Sequence, residues 1–353
     1  MILLSYTVIW QGKLVKVFKY RGGEFERDLE TLSENYFWAP TRKNLNDPCE
    51  GLFDDLSVNN QLDTIFNFFA RKDSNSANAL ENVKASLKEL FDFVDKSGIY
   101  SLSQTPLNEL LWAHYAYNHT GFCIEYDLDK LIEYEKNDYI YLDIKYKDSP
   151  QVISVSDIDT ESQNKILMKM LGIKSKAWSY EKEIRVITSN SGKHSYDYRA
   201  VKAIYFGLRM SDSNKNKLMD KLKGRGIQYH QVILKSKSYK FSFTTMEDPY
   251  KEANKYKYSI APIAEHAITP EYVNDKYKPY VEYLSKAAEI VRREPDCNEV
   301  EMVEFSTSKG DIGNPVIFVQ YMRKDNRYVN HYLSIQDIES QYKEITDLGE
   351  IAI

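Results

Sequence analysis

In the middle of the chain, Trp178-Ser179-Tyr180-Glu181-Lys182-Glu183-Ile184-Arg185 sets two carboxylates and a guanidinium at a spacing of two. On a strand, residues two apart share a face, so Glu181, Glu183 and Arg185 would project together. Two neighbouring carboxylates repel unless a cation or solvent compensates. A solvated strand face carrying a Glu183–Arg185 pair of little energetic value would show the same residues. Trp178 and Tyr180, immediately upstream, argue against a plain exposed edge. Tyr100-Ser101-Leu102-Ser103 offers two hydroxyls at the same spacing, where a strand gives way to a helix. They could face a polar ligand, or they could simply cap, as serines at that junction often do. Lys19-Tyr20-Arg21 precedes Gly22-Gly23. An arginine there can fork two hydrogen bonds onto a phosphate while the glycines let backbone approach it, though a charged strand end before a turn reads the same way.

Other chemistry is less well supported. Leu107, Leu110, Leu111 and His114 share one helix face, so His114 reads either as a core histidine or as a general acid or substrate-orienting group. His114 and His119 are five apart with Asn118 between, the wrong spacing for two ligands on one helix, and no metal site is expected. Asn46-Asp47-Pro48-Cys49-Glu50 reads as a turn in which the side chains of Asn46 and Asp47 bond local backbone. Cys49 and Cys123 lack a basic neighbour and read as structural. A magnesium nuclease built on Asp47, Glu50 and Glu125 would need a carboxylate cluster that the spacing does not make. No phosphate-binding glycine loop, nucleophile elbow or His-Glu-x-x-His motif is present.

The elements that must position these residues follow from the hydrophobic pattern. Ile2–Trp10 and Leu14–Tyr20 read as a hairpin, and 56–71 and 77–96 as helices. A strand at Gly98–Ser103 leads into a helix capped by Thr105, with Pro106 at its first position, running to Tyr117; Asn118-His119-Thr120-Gly121 ends it and Phe122–Tyr126 follows as a strand. Strands are expected at 139–145, 180–188, 201–207 and 228–236, and helices at 158–172 and 210–223. The pattern dissolves between about 243 and 262, after which come a helix at 270–293, strands at 298–306, 315–323 and 328–334, and a helix at 335–347. The expected organisation is therefore α+β: a main domain over residues 1–250 and a C-terminal α+β appendage over 262–353.

Composition narrows the classes. The 353 residues carry 47 basic and 52 acidic side chains, a net charge of −5, against an obligate nucleic-acid binder. No apolar run reaches the ~18 residues of a membrane span, and the start lacks the basic region and cleavage site of a signal peptide. Three widely spaced cysteines fit a reducing cytoplasm.

Taken together, Phe18–Arg21, Asn46–Gly51, Ser101–Ser103, the block Leu111-Trp112-Ala113-His114-Tyr115-Ala116 with His119–Cys123, and Trp178–Arg185 resemble the bacterial domain-of-unknown-function family twenty-nine seventy-one, over residues 15–240. That family carries no assigned activity. The order of an arginine on a first strand, Ser-x-Ser on a later one and Glu-x-Glu on a third is more distantly similar to ADP-ribosyltransferases of the arginine–serine–glutamate type, with Ser-Leu-Ser in place of Ser-Thr-Ser. The resemblance implies a split β-sheet core with flanking helices, binding NAD as substrate in a cleft. Arg21, with Tyr20, would hold its phosphates or ribose, and Ser101 and Ser103 would support the nicotinamide ribose. Glu183 would bond the ribose 2′-hydroxyl, Glu181 would orient or deprotonate the acceptor, and Trp178 or Tyr180 would stack on nicotinamide. His114 and Tyr115 have no role in that scheme, but could supply a histidine and a tyrosine to a histidine–tyrosine–glutamate arrangement. The implied activity is mono-ADP-ribosylation of a protein or nucleic acid, in the setting of a toxin or anti-phage effector. The alternative is a non-catalytic recognition module of a bacterial defence or stress system, with a partner bound through 262–353.

Overall fold

The computed structural model describes residues 15–47, 49, 53–54, 85–86, 88–133, 139–152, 163–253, 260–294, 297–323 and 326–347. The expected strand Ile2–Trp10 and helix 56–71 lie outside them. The chain divides into two compact units, Met1–Asn254 and Lys255–Ile353.

The first unit is mixed α/β, built on a mostly open sheet. Its strands of three or more residues are β1 (Lys16–Arg21), β2 (Tyr36–Ala39), β3 (Gly98–Ser103), β4 (Phe122–Asp127), β5 (Ile140–Asp143), β6 (Lys145–Lys147), β7 (Ile173–Ser175), β8 (Glu183–Thr188), β9 (Gly192–Ser195), β10 (Val201–Phe206), β11 (Gln228–Leu234) and β12 (Phe241–Met246). Its helices are α1 (Phe25–Ser33), α2 (Glu109–Tyr115), α3 (Leu128–Ile132), α4 (Gln163–Leu171) and α5 (Asp212–Lys221), with residues 88–96 also helical. Eight strands hydrogen-bond in the order β12-β11-β10-β4-β1-β3-β8-β5. β10 and β11 run parallel, with α5 between them in sequence, and every other neighbouring pair is antiparallel.

The centre of this sheet is its weakest seam. β1 matches β4 over six residue pairs, from Lys16↔Asp127 to Arg21↔Phe122. β3 matches β8 over another six, including Ser103↔Glu183 and Ser101↔Arg185. Between β1 and β3 a single pair forms, Phe18↔Ser103. The split core that the resemblance implies is thus one eight-stranded sheet by hydrogen bonding, whose two parts touch at one residue pair and separate where residues 19–21 would have met 100–102.

Alternation gives each half a buried face. Val17, Tyr100, Leu102, Ile124, Tyr126, Ile184 and Val186 pack with Leu29 and Leu32 of α1. On the opposite face, Phe18, Tyr20, Cys123 and Tyr205 pack with Leu111 and Trp112 of α2 and with Ala116 at its C-terminal end. α2 starts later than its sequence suggests: Asn108, not Thr105, is the N-cap, its side chain accepting from the Leu111 amide at 3.0 Å. Pro106 lies outside the helix, and its carbonyl accepts instead from the Trp112 indole.

The second unit is a three-stranded antiparallel sheet, β13 (Cys297–Phe305), β14 (Val316–Arg323) and β15 (Tyr328–Ser334), with α6 (Glu282–Val291) and α7 (Ile335–Asp347). Leu284, Ala287, Ala288 and Val291 of α6 share a buried core with Val300, Val303, Ile317, Val319 and Tyr321. The single helix expected over 270–293 is two short 3-10 turns, Pro270–Tyr272 and Asp275–Tyr280, followed by α6. Pro279 sits among them and cannot donate to a helical ladder.

A candidate active site at the parted strands

Where β1 and β3 separate, the first unit holds a cavity of about 680 Å³. That lies within the ~300–1,000 Å³ of pockets that enclose small ligands. Arg21, Tyr20, Ser101, Ser103, Glu181 and Glu183 all line it, although they come from three segments remote in sequence. Lys19, Lys174, Tyr115 and Asp47 join them, and the β2–β9 ribbon contributes Tyr36 and Trp38.

Glu181 and Glu183 do not share a strand. Glu181 closes a 3-10 turn, Lys176–Glu181, and Lys182 then takes a left-handed conformation, φ 45°, before β8 begins at Glu183. The twist spoils the alternation, yet both carboxylates reach one cation. Lys174 Nζ, delivered by β7 through its parallel pairing with β6, donates to Glu181 Oε2 at 2.6 Å and Glu183 Oε2 at 3.0 Å. Tyr115 of α2 donates to Glu181 Oε1 at 2.7 Å. Arg185 grips Glu183 with Nε at 2.8 Å and a second nitrogen, Nη2, at 3.2 Å, while its Nη1 bonds the Leu171 carbonyl at the end of α4.

The reading of this stretch as a solvated face fails: every residue of β8 is buried, and Arg185 is 1% exposed. Burial opposes ionisation of Glu183, but Arg185, with Lys174 and Ser101, more than offsets it and holds that carboxyl at about 2. Burial, and then the bond to Glu181, push the Tyr115 phenol well above its ordinary value.

The serines serve both structure and site. Ser103 Oγ donates to the Glu181 carbonyl at 2.7 Å, tying the 3-10 turn to β3, and accepts from the Thr105 amide. Ser101 hydrogen-bonds Glu183. Tyr20 is an anchor: its hydroxyl donates to the Thr105 carbonyl at 2.8 Å and accepts from the Asn108 amide. Asp47 accepts from the Cys49 amide at 2.9 Å, as a turn there requires.

Across the gap the chemistry is cationic. Lys19 and Arg21 share a face of β1 beside the Tyr100 ring, with Lys19 Nζ 4.7 Å and Arg21 Cζ 5.9 Å from its centroid. Directly paired residues project to the same side of a sheet, so Phe18, Ser103 and Glu183 point one way, and Lys19 and Arg21 the other. The cations and the carboxylates therefore enter the cavity from opposite faces of the parted strands. The turn after α2 supports Arg21. Tyr117, Asn118 and His119 take three successive left-handed conformations, and Gly121 then packs so tightly on the Arg21 carbonyl that a Cβ would collide with it.

Three expected ligand contacts fall outside the cavity lining. His114 is exposed on α2, its ring 6.3 Å from that of Tyr180, because the buried face of the helix runs through Leu111, Trp112 and Ala116. Tyr180 lends its carbonyl to Asn108 at 2.9 Å. Trp178 packs behind the carboxylates, 5.1 Å from Lys174 Nζ. Of the acids weighed for a nuclease, Glu50 lies outside the described residues, while Glu125 is held by Lys16 at 2.7 Å and by the Tyr205 hydroxyl at 2.8 Å. Among the described residues no group of three metal-ligating side chains forms. No helix among them is long and apolar enough to cross a membrane.

A family model described as protein of unknown function (DUF2971) matches residues 111–186. The matched stretch runs from α2 through β8, so it includes Tyr115, Lys174, Glu181, Glu183 and Arg185 but neither β1 nor β3, and is narrower than the resemblance drawn over 15–240. No curated protein and no solved structure matches the chain.

Sequence reasoning missed Lys174 and underrated Lys19 and Tyr115. Lys19 had a usable signal, its spacing of two from Arg21 on a strand. Lys174 had none, since its role depends on the pairing of two three-residue strands.

Proposed function

We propose that this protein binds NAD in the β1–β3 cavity and transfers its ADP-ribose to a macromolecular acceptor. The observation that carries this reading is the convergence of Arg21, Ser101, Ser103, Glu181 and Glu183 on one cavity from three distant segments. In the reaction, the bond between ribose C1′ and the nicotinamide nitrogen breaks. Nicotinamide leaves neutral with the bonding electrons, positive charge develops on the ribose, and the acceptor's nucleophile bonds C1′ and loses its proton to water. A carboxylate kept ionised beside the ribose stabilises charge that exists only in the transition state, and Glu183 is ionised at any ordinary pH. Glu181, already bonded to Lys174 and Tyr115, is the group suited to orient the acceptor.

Incubation with NAD and a cell lysate should release free nicotinamide and yield ADP-ribosylated products. Glu183→Gln, nearly isosteric, should lower both by about 10²-fold or more. A wild-type protein that neither binds nor cleaves NAD would overturn the reading.

One observation favours a second reading. Both carboxylates are already engaged by side-chain partners, Glu183 by Arg185 and Lys174, Glu181 by Lys174 and Tyr115. A site so neutralised suits a recognition module that holds a nucleotide without cleaving it, and NAD binding with no nicotinamide release, at any acceptor supply, would select this reading.

A further inference from the structure

The cationic side of the gap carries more than one arginine needs. Lys19 Nζ donates to the Ser101 carbonyl at 2.8 Å, standing in for part of the backbone ladder that β1 and β3 do not make, and an ammonium keeps two further donors. Arg21 Nε is buried with no hydrogen-bond partner. Among the described residues neither Lys19 nor Arg21 has a carboxylate within ion-pair distance. Arg27, also at the cavity, differs in this respect, being paired with Glu24 at 3.1 Å. Tyr100 and Asp28 more than offset the burial of Arg21, and Glu183, Asp28 and Glu181 act on Lys19 from beyond ion-pair distance, but none of them satisfies the orphaned Arg21 Nε or the spare Lys19 donors, which an anion at the cavity would fill.

We propose that Lys19, beside Arg21, makes a direct contact with the diphosphate of a nucleotide ligand in this cavity. The proposal deepens the reading above and rests on it only for the identity of the ligand. The charged and titratable groups that act on Lys19 are Arg21 on its own strand, Tyr100 on β3, Cys123 on β4, Asp28 on α1, Glu181 on the 3-10 turn and Glu183 on β8. Burial, followed by repulsion from Arg21, lowers its pKa to about 7, with Glu183, Asp28 and Glu181 pulling the other way. Near neutrality the amine is therefore part-neutral, and a diphosphate beside it restores the charge.

The test is calorimetric titration with ADP-ribose in buffers of different ionisation enthalpy, between about pH 6 and about pH 9, where the probe's charge is constant. Wild type should take up close to one proton at about pH 8 and little at about pH 6. Its affinity should fall by up to about tenfold per pH unit above 7. Lys19→Met should bind about ten- to a hundredfold more weakly at the acid end and take up no proton. Lys19→Arg, whose charge does not titrate, should keep the affinity and lose the uptake. Arg21→Met should weaken binding at every pH and, by removing the repulsion that helps lower Lys19, move the uptake to higher pH. ADP-ribose that fails to bind wild type, or Lys19 variants that keep both affinity and uptake, would overturn the subsite. ADP-ribose binding with this Lys19 signature but no nicotinamide release would leave the subsite standing and remove the transferase reading.

Discussion

Strand β3 has two neighbours and treats them differently. Toward β8 it forms six residue pairs, and the charges on that side are matched: Arg185 against Glu183, Lys174 against Glu183 and Glu181. Toward β1 it forms one pair, and the charges there, Lys19 and Arg21, have no matching carboxylate within ion-pair distance among the described residues. One side is closed and its charges are paired in direct contact; the other is open, and its cations touch no carboxylate. A sheet can keep a ligand cavity at its centre if one seam is left unzipped and the adjoining ladder is made rigid enough to hold it.

That contrast can be attacked from either side. The largest effect is expected on the closed side. Arg185→Met strands Glu183 in a buried position and should cost about 3–5 kcal/mol of stability, read by denaturant unfolding; a loss below ~1 kcal/mol would mean the pair does not anchor the ladder. The same pair sets the acid limb. Because the folded carboxyl titrates at about 2 rather than 4.5, its stabilisation is fully present above 4.5 and is gone once the pH has fallen through about 2. A pH series of unfolding midpoints should show that decline in wild type and not in Glu183→Gln.

Gly121→Ala brings a methyl group against the Arg21 carbonyl and should cost about 1–3 kcal/mol, with weaker ADP-ribose binding if the open side depends on the placement of Arg21. Ser103→Ala deletes the bond to the Glu181 carbonyl and should cost about 1 kcal/mol. Its sharper readout is a loosened 3-10 turn, seen as faster amide exchange around Lys182. Smallest is Lys19→Met. The unfolded amine holds its proton up to about 10.5 and the folded one only to about 7, so this group's contribution to stability rises with pH across that window. The variant should flatten the rise, while at neutral pH relief of the buried ammonium and loss of the bond to the Ser101 carbonyl act in opposite directions.

The parts legible in the sequence are those fixed by local periodicity. The strands expected at 298–306, 315–323 and 328–334 appear as β13, β14 and β15 within a residue of those bounds, and the helix at 335–347 is α7. Their alternation and helical spacing suffice because each packs on a sequence neighbour. The turn before β8 was illegible for a physical reason. A lysine in the left-handed region carries none of the glycine or asparagine signal that marks such positions, so Glu181 was placed on the strand with Glu183. α2 misled differently, because Thr105-Pro106 makes a plausible helix start while the true cap, Asn108, is chosen by its bonds to the Leu111 amide and the Tyr180 carbonyl. The candidate site was legible as three residue types, and its counter-charges were not, since Lys174 and the cavity arise from long-range strand pairing.

Inner strands of a sheet ordinarily protect their amides best. Here the backbone groups of 19–21 and 100–102 that point into the seam have no ladder to join, while Lys16–Arg21 is fully registered with β4 on its far side. In deuterated solvent those inward amides should be the first of the eight strands to exchange, ahead of the outlying β12, and a ligand lying along the seam should be recorded as a stripe of slowed exchange between β1 and β3.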